Sequence, residues 1–106
     1  GMGSAWPALI LAGLFEVGWA LGLKYSDGFT KLVPSVLTVF GALASFWLLS
    51  HVMKSLPVGT ACAVWVGIGV VGTAVFAVVL FGEAMNPLRL GGITLIIAGI
   101  IALKMA

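Results

Sequence analysis

Leu9-Ile-Leu-Ala-Gly-Leu-Phe-Glu16-Val-Gly-Trp19-Ala-Leu-Gly-Leu23 is an apolar run with a single carboxylate near its middle. The run is of membrane-spanning length when extended to residue 5, and a carboxylate at the centre of a spanning helix costs about 2.5–3.5 kcal/mol on the mildest insertion scales. A residue tolerated at that cost faces a partner, a ligand or a water-filled cavity. Glu16 is therefore the first candidate functional residue, and the rest of the chain is its housing.

The composition agrees with a membrane setting. Of 106 residues, 62% are hydrophobic and 8% charged, too little polar surface to cover a water-soluble globule. The formal net charge of +2 is scattered, with no basic run or aromatic-basic alternation to bind nucleic acid. The lone Cys62 excludes an intrachain disulfide and a multi-Cys zinc site. Gly1, ahead of the first Met, is set aside. The first apolar segment is preceded by no Lys or Arg and followed by three comparable segments, so it reads as a span and not as a cleaved signal peptide.

Four apolar stretches can be marked, at 5–23, 32–52, 58–81 and 88–103. Each approaches the roughly 20 residues that a helix needs to cross the hydrocarbon. They lack the strict alternation of barrel strands, and helices satisfy their own backbone groups in lipid. The expected fold is an all-α membrane protein, one domain of four transmembrane helices. Between the spans lie Lys24-Tyr-Ser-Asp-Gly28-Phe-Thr-Lys31, Lys54-Ser-Leu-Pro57 and Gly82-Glu83-Ala-Met-Asn86-Pro87, whose Gly and Pro supply turn and helix-start chemistry. Connections this short predict consecutive helices that are antiparallel neighbours.

The basic residues divide almost evenly across the membrane. Lys24, Lys31 and Arg89 fall on one side, Lys54 and Lys104 on the other, so positive-inside counting yields little bias. Two readings follow, insertion in both orientations with opposed copies that pair, or a weakly biased single orientation. Gly67, Gly69 and Gly72 in the third span admit a close neighbour or a ligand. In the fourth span Gly92 and Gly99 share one face, and this suits helix packing in lipid. That span has no ionisable residue between Arg89 and Lys104, which fits dimerisation better than a transport pathway.

On a helix the neighbours of Glu16 are Ala12, Gly13, Trp19 and Ala20. Small residues on its N-terminal side predict a void and the indole a wall, an arrangement that attracts an organic cation through charge and the ring quadrupole. The second span presents Thr38, Ala42 and Ser45 on one stripe, the third Cys62, Trp65, Gly69, Gly72 and Phe76. Ser45 is placed to donate to the carboxylate or, alternatively, to its own i−4 carbonyl. Trp6 reads as an interfacial anchor, Lys24 as a snorkelling lysine, His51 as interfacial, and Glu83, Asp27 and Lys54 as loop charges in water. No metal-ligand spacing, phosphate loop or nucleophile-base pair occurs in the sequence, so nothing points to an enzyme or calls for a cofactor. One carboxylate for which a proton and a cation compete is enough for exchange transport, provided that the site opens alternately to the two sides.

The run from Gly13 to Phe29, together with Leu56-Pro-Val-Gly-Thr-Ala and Ala63-Val-Trp65, resembles the small multidrug resistance family, and within it the guanidinium exporter branch. The resemblance implies a four-helix protomer, an antiparallel dual-topology homodimer in a bacterial inner membrane, and exchange of protons for guanidinium-type cations. It also implies that Gly13, Glu16, Trp19, Ser45 and Trp65 line the site and that Gly92 and Gly99 make the dimer contact. One position departs from the family pattern. Where a tyrosine is usual before Trp65 the chain has Cys62, and Val66 stands where Ser or Thr is common. Loss of the phenol predicts a wider, more apolar site that admits alkyl-substituted guanidiniums. The alternatives are a polyspecific exporter of quaternary ammonium and aromatic cations, a passive ion channel, or a membrane subunit that works beside a paralogue.

Overall fold

A computed structural model describes residues 2–106; Gly1 lies outside them. Four helices follow in order, α1 (Met2–Tyr25), α2 (Leu32–Val52), α3 (Val58–Phe81) and α4 (Pro87–Met105). Each has the length and hydropathy to cross a membrane. Helix α1 runs beyond the apolar stretch at both ends, since Ser4, Lys24 and Tyr25 are compatible with helix where a span meets the interface.

The connections follow local chemistry. After α1 the chain turns through left-handed backbone at Asp27, Gly28 and Phe29. Ser26 stabilises that turn, donating to the Leu23 carbonyl at 2.8 Å and accepting the Phe29 N–H at 3.2 Å. Helix α3 ends on Gly82 with φ +68°, a conformation that only glycine adopts without a Cβ penalty. Helix α4 opens with Pro87, and the Asn86 side chain accepts the Arg89 N–H at 2.8 Å.

Short connections do not make every consecutive pair neighbours. Helix α1 lies between α2 and α3, α4 lies against the far side of α3, and α2 and α3 meet only slightly. The expectation of consecutive neighbours thus holds only in part for α2 and α3, which touch through the Ser45–Trp65 bond and the core around Val52 and Val64 while α1 makes the larger contact with each. The reason is the distribution of small residues around α1. Gly13 admits the Ile68 side chain, Gly22 admits Thr38, and on the facing helices Gly41 admits Trp19 and Gly72 admits Val17. Close approach of this kind is how helices pack where lipid removes the hydrophobic drive between them.

The buried apolar core is concentrated at one end of the bundle. Ala5 and Leu9 of α1, Leu49 and Val52 of α2, Leu56 in the turn, and Ala61 and Val64 of α3 pack together there. Lys104 covers the Trp6 ring at 5.5 Å from its centroid at this same end. At the opposite end Tyr25 meets Phe81 with ring centroids 5.2 Å apart, and Lys24 lies 5.8 Å from the Phe81 centroid. The outer faces leave Leu32, Phe40, Trp47, Leu88 and Leu95 mostly exposed to the surroundings, as lipid-facing helices do.

Candidate functional site

Glu16 projects from the middle of α1 against the backbone of α3 at Gly69. A Cβ added at Gly69 would collide with the carboxylate, so the absence of a side chain there makes the space that Glu16 occupies. The carboxylate borders a cavity of about 350 Å³ whose lining includes Ala20, Thr73, Ala77, Glu83 and Arg89. Its Oε1 is buried and has no hydrogen-bond partner among the described residues. A carboxyl oxygen left without a partner in an apolar setting is unfavourable unless another species supplies one.

The open space therefore lies on the C-terminal side of Glu16, towards Ala20. This corrects the expected void on the N-terminal side, where Ala12 is fully buried and the space over Gly13 is filled by Ile68. Trp19 does not wall the cavity either. It turns towards α2, with its Cβ opposite Gly41 and its ring 6.2 Å from that of Phe46. Its buried Nε1 likewise has no partner among the described residues.

Ser45 follows neither expectation. It donates to the Ala12 carbonyl of α1 at 2.7 Å, not to the Glu16 carboxylate and not to the carbonyl four residues before it. The same hydroxyl accepts the Trp65 Nε1–H at 2.9 Å, so one fully buried serine ties α1, α2 and α3 together. Ala12 O is also the carbonyl to which the Glu16 backbone N–H points in an α-helix. The serine thus holds the turn that carries the carboxylate. Phe46 lies between the two indoles, its ring 5.7 Å from Trp65; a lone Phe in an apolar span carries no signal of its own in the sequence.

Cys62 and Trp65 part company within α3. Cys62 lies on the row that continues through Val66 and Val70, and lines an apolar groove of about 450 Å³ between α3 and Ile96 of α4. Within the protomer it is not brought to Glu16. Val70 belongs to both linings, so the groove adjoins the Glu16 cavity. Glu83 is an exposed loop charge, as expected, and is also ion-paired with Arg89 at 2.8 Å; both border the Glu16 cavity. Cβ atoms built on Gly92 and Gly99 would meet nothing within 4 Å, so these glycines serve no packing contact inside the chain.

Four membrane-length helices joined by short connections, one of them carrying a carboxylate with a buried oxygen beside a cavity, define a small multi-pass integral membrane protein. Comparison with known proteins gives the particular family. The profile of the Small Multidrug Resistance protein matches residues 4–96. A protein of Escherichia coli K12 named guanidinium exporter is 56% identical over 102 residues, covering 96% of this chain and 97% of its own. Proteins of the same name from Yersinia pseudotuberculosis and Proteus vulgaris are 56% and 51% identical, each over 96% of this chain and 98% of theirs. The chain belongs to the small multidrug resistance family, and is an integral, multi-pass protein of the inner membrane.

Proposed function

We propose that this protein is a proton-coupled antiporter that exports guanidinium and small or alkyl-substituted guanidinyl cations, with proton and substrate competing for Glu16. The observation that carries the reading is the buried Glu16 Oε1, without a partner among the described residues and bordering a cavity. A planar guanidinium supplies two parallel N–H donors to a carboxylate, and a proton satisfies the same oxygens one at a time. The names of relatives that match over nearly the whole chain support the substrate class, and a transporter reading leaves no place for an enzyme.

The working unit in this reading is an antiparallel dual-topology homodimer. Support comes from the near balance of Lys24, Lys31 and Arg89 against Lys54 and Lys104, and from the open faces of Gly92 and Gly99 on α4. Gly13 then serves by letting α3 close on α1, so that Gly69 opposes Glu16. Trp19, Ser45 and Trp65 shape the polar surroundings, and Cys62 widens the adjoining groove. That groove also favours a second reading, a polyspecific exporter of quaternary ammonium and aromatic cations, since its lining is apolar.

The experiment is uptake of labelled guanidinium into proteoliposomes under an imposed pH gradient, with phenylguanidinium and tetraethylammonium as competitors and Glu16→Gln as control. Gradient-driven uptake that the guanidinyl competitor inhibits, and that the control lacks, is the expected result. Equal inhibition by tetraethylammonium would favour the polyspecific reading. Uptake that neither saturates nor responds to the gradient would overturn the carrier.

A further inference from the structure

The Glu16 cavity has a charged outer end. From Glu16 it passes Ala20 on α1 and the small residues Gly69, Thr73 and Ala77 on α3, then reaches Glu83 and Arg89. Gly69 to Ala77 is eight residues of helix, about 12 Å of rise. The other end of the bundle is closed by the apolar core around Leu9, Val52 and Val64, so the described protomer leads from Glu16 towards this ion pair.

At that end Arg89 Nη2 lies 2.8 Å from Glu83 Oε1, and Nη1 donates to the Ala84 carbonyl at 3.4 Å. The two side chains are 30% and 48% exposed, respectively. Exposed ion pairs are held weakly and exchange partners readily. Arg89 is the sole arginine in the sequence, and its head group is itself a guanidinium. A free guanidinium therefore offers Glu83 the same planar set of donors that Arg89 offers it.

We propose that Glu83 is an outer cation subsite of the Glu16 pathway, occupied by Arg89 at rest and exchanged for a guanidinyl cation as it passes. The inference rests on the reading of guanidinyl cations as substrate. A displaced Arg89 leaves a positive charge at the mouth, which opposes entry of a second cation until the first has moved inward to Glu16. When the subsite empties, Arg89 closes on Glu83 again.

The test uses the full chain in bicelles with nitrogen-15 arginine, where a sole arginine yields a single Nε resonance. In the Glu16→Gln protein, guanidinium chloride is expected to shift that resonance saturably, beyond the effect of sodium chloride at equal ionic strength. The shift is expected to vanish in Glu16→Gln with Glu83→Gln. Guanidinium and sodium titrations that superimpose would overturn the subsite. In proteoliposomes, Glu83→Gln in the otherwise native chain is expected to raise the KM for guanidinium several-fold with kcat little changed, and an unchanged KM would also overturn it. Failure of the exporter reading looks different: it is uptake by the native chain that does not depend on Glu16, with the Arg89 resonance still responding in the bicelle titration.

Discussion

The Trp65 indole donates to the Ser45 hydroxyl at 2.9 Å, and Ser45 passes the interaction on to the Ala12 carbonyl at 2.7 Å. Three helices meet through one buried hydroxyl, one turn from Glu16. In lipid, where apolar contacts between helices gain little over contacts with acyl chains, a bond network of this kind specifies the packing.

Ser45→Ala should remove both bonds and leave the Trp65 N–H unpaired, a loss of about 1–3 kcal/mol. Unfolding of the detergent-solubilised protein measures it. Trp65→Phe on top of Ser45→Ala should cost less than the sum of the single changes, because the orphaned donor is removed with its ring position kept. Strict additivity would show that the bond contributes nothing.

Gly69→Ala places a methyl group where the Glu16 carboxylate lies. Overpacking of this kind costs about 1–3 kcal/mol, and here the carboxylate gives way first. Guanidinium uptake should fall about tenfold or more while helical content by circular dichroism is retained. Gly91→Ala, whose new Cβ meets open space, is the matched control and should transport normally.

Gly99→Leu and Gly92→Leu meet no clash inside the chain. If their face joins two copies, the added bulk should weaken dimerisation about tenfold or more, read as loss of energy transfer between differently labelled protomers, without loss of helical content. Unchanged energy transfer would remove α4 from the dimer contact.

Cys62→Tyr should fill the groove along Val66 and Val70. The kcat/KM of phenylguanidinium relative to guanidinium should drop roughly tenfold, the scale on which pocket volume discriminates apolar substituents. If transport of both cations is unchanged, Cys62 does not set substrate width.

Much of this was legible in the chain because lipid imposes simple rules. Spans of apolar residues had to be helices, and the one acid within them carries a cost that calls for a compensating partner, so Glu16 stands out before any packing is known. Ser45 and Trp65 were visible as polar groups in apolar spans that need partners. Which partners they find depends on the relative rotation and depth of three helices, and no local pattern carries that information. The same holds for the void, which helical neighbours placed at Gly13 and which Ile68, far away in sequence, moved to the other side of Glu16.

By itself the sequence determined four spans, their turns, and one carboxylate within a span, since each is a property of a residue in its own helix and its own solvent. Only the tertiary structure decided that Ser45 bonds Ala12, that Gly69 makes room for Glu16, that Cys62 faces a groove beside α4, and that Glu83 joins Arg89 at the cavity's end. These are contacts between helices, set by where small residues let backbones approach, and that choice is made jointly by all the helices that meet.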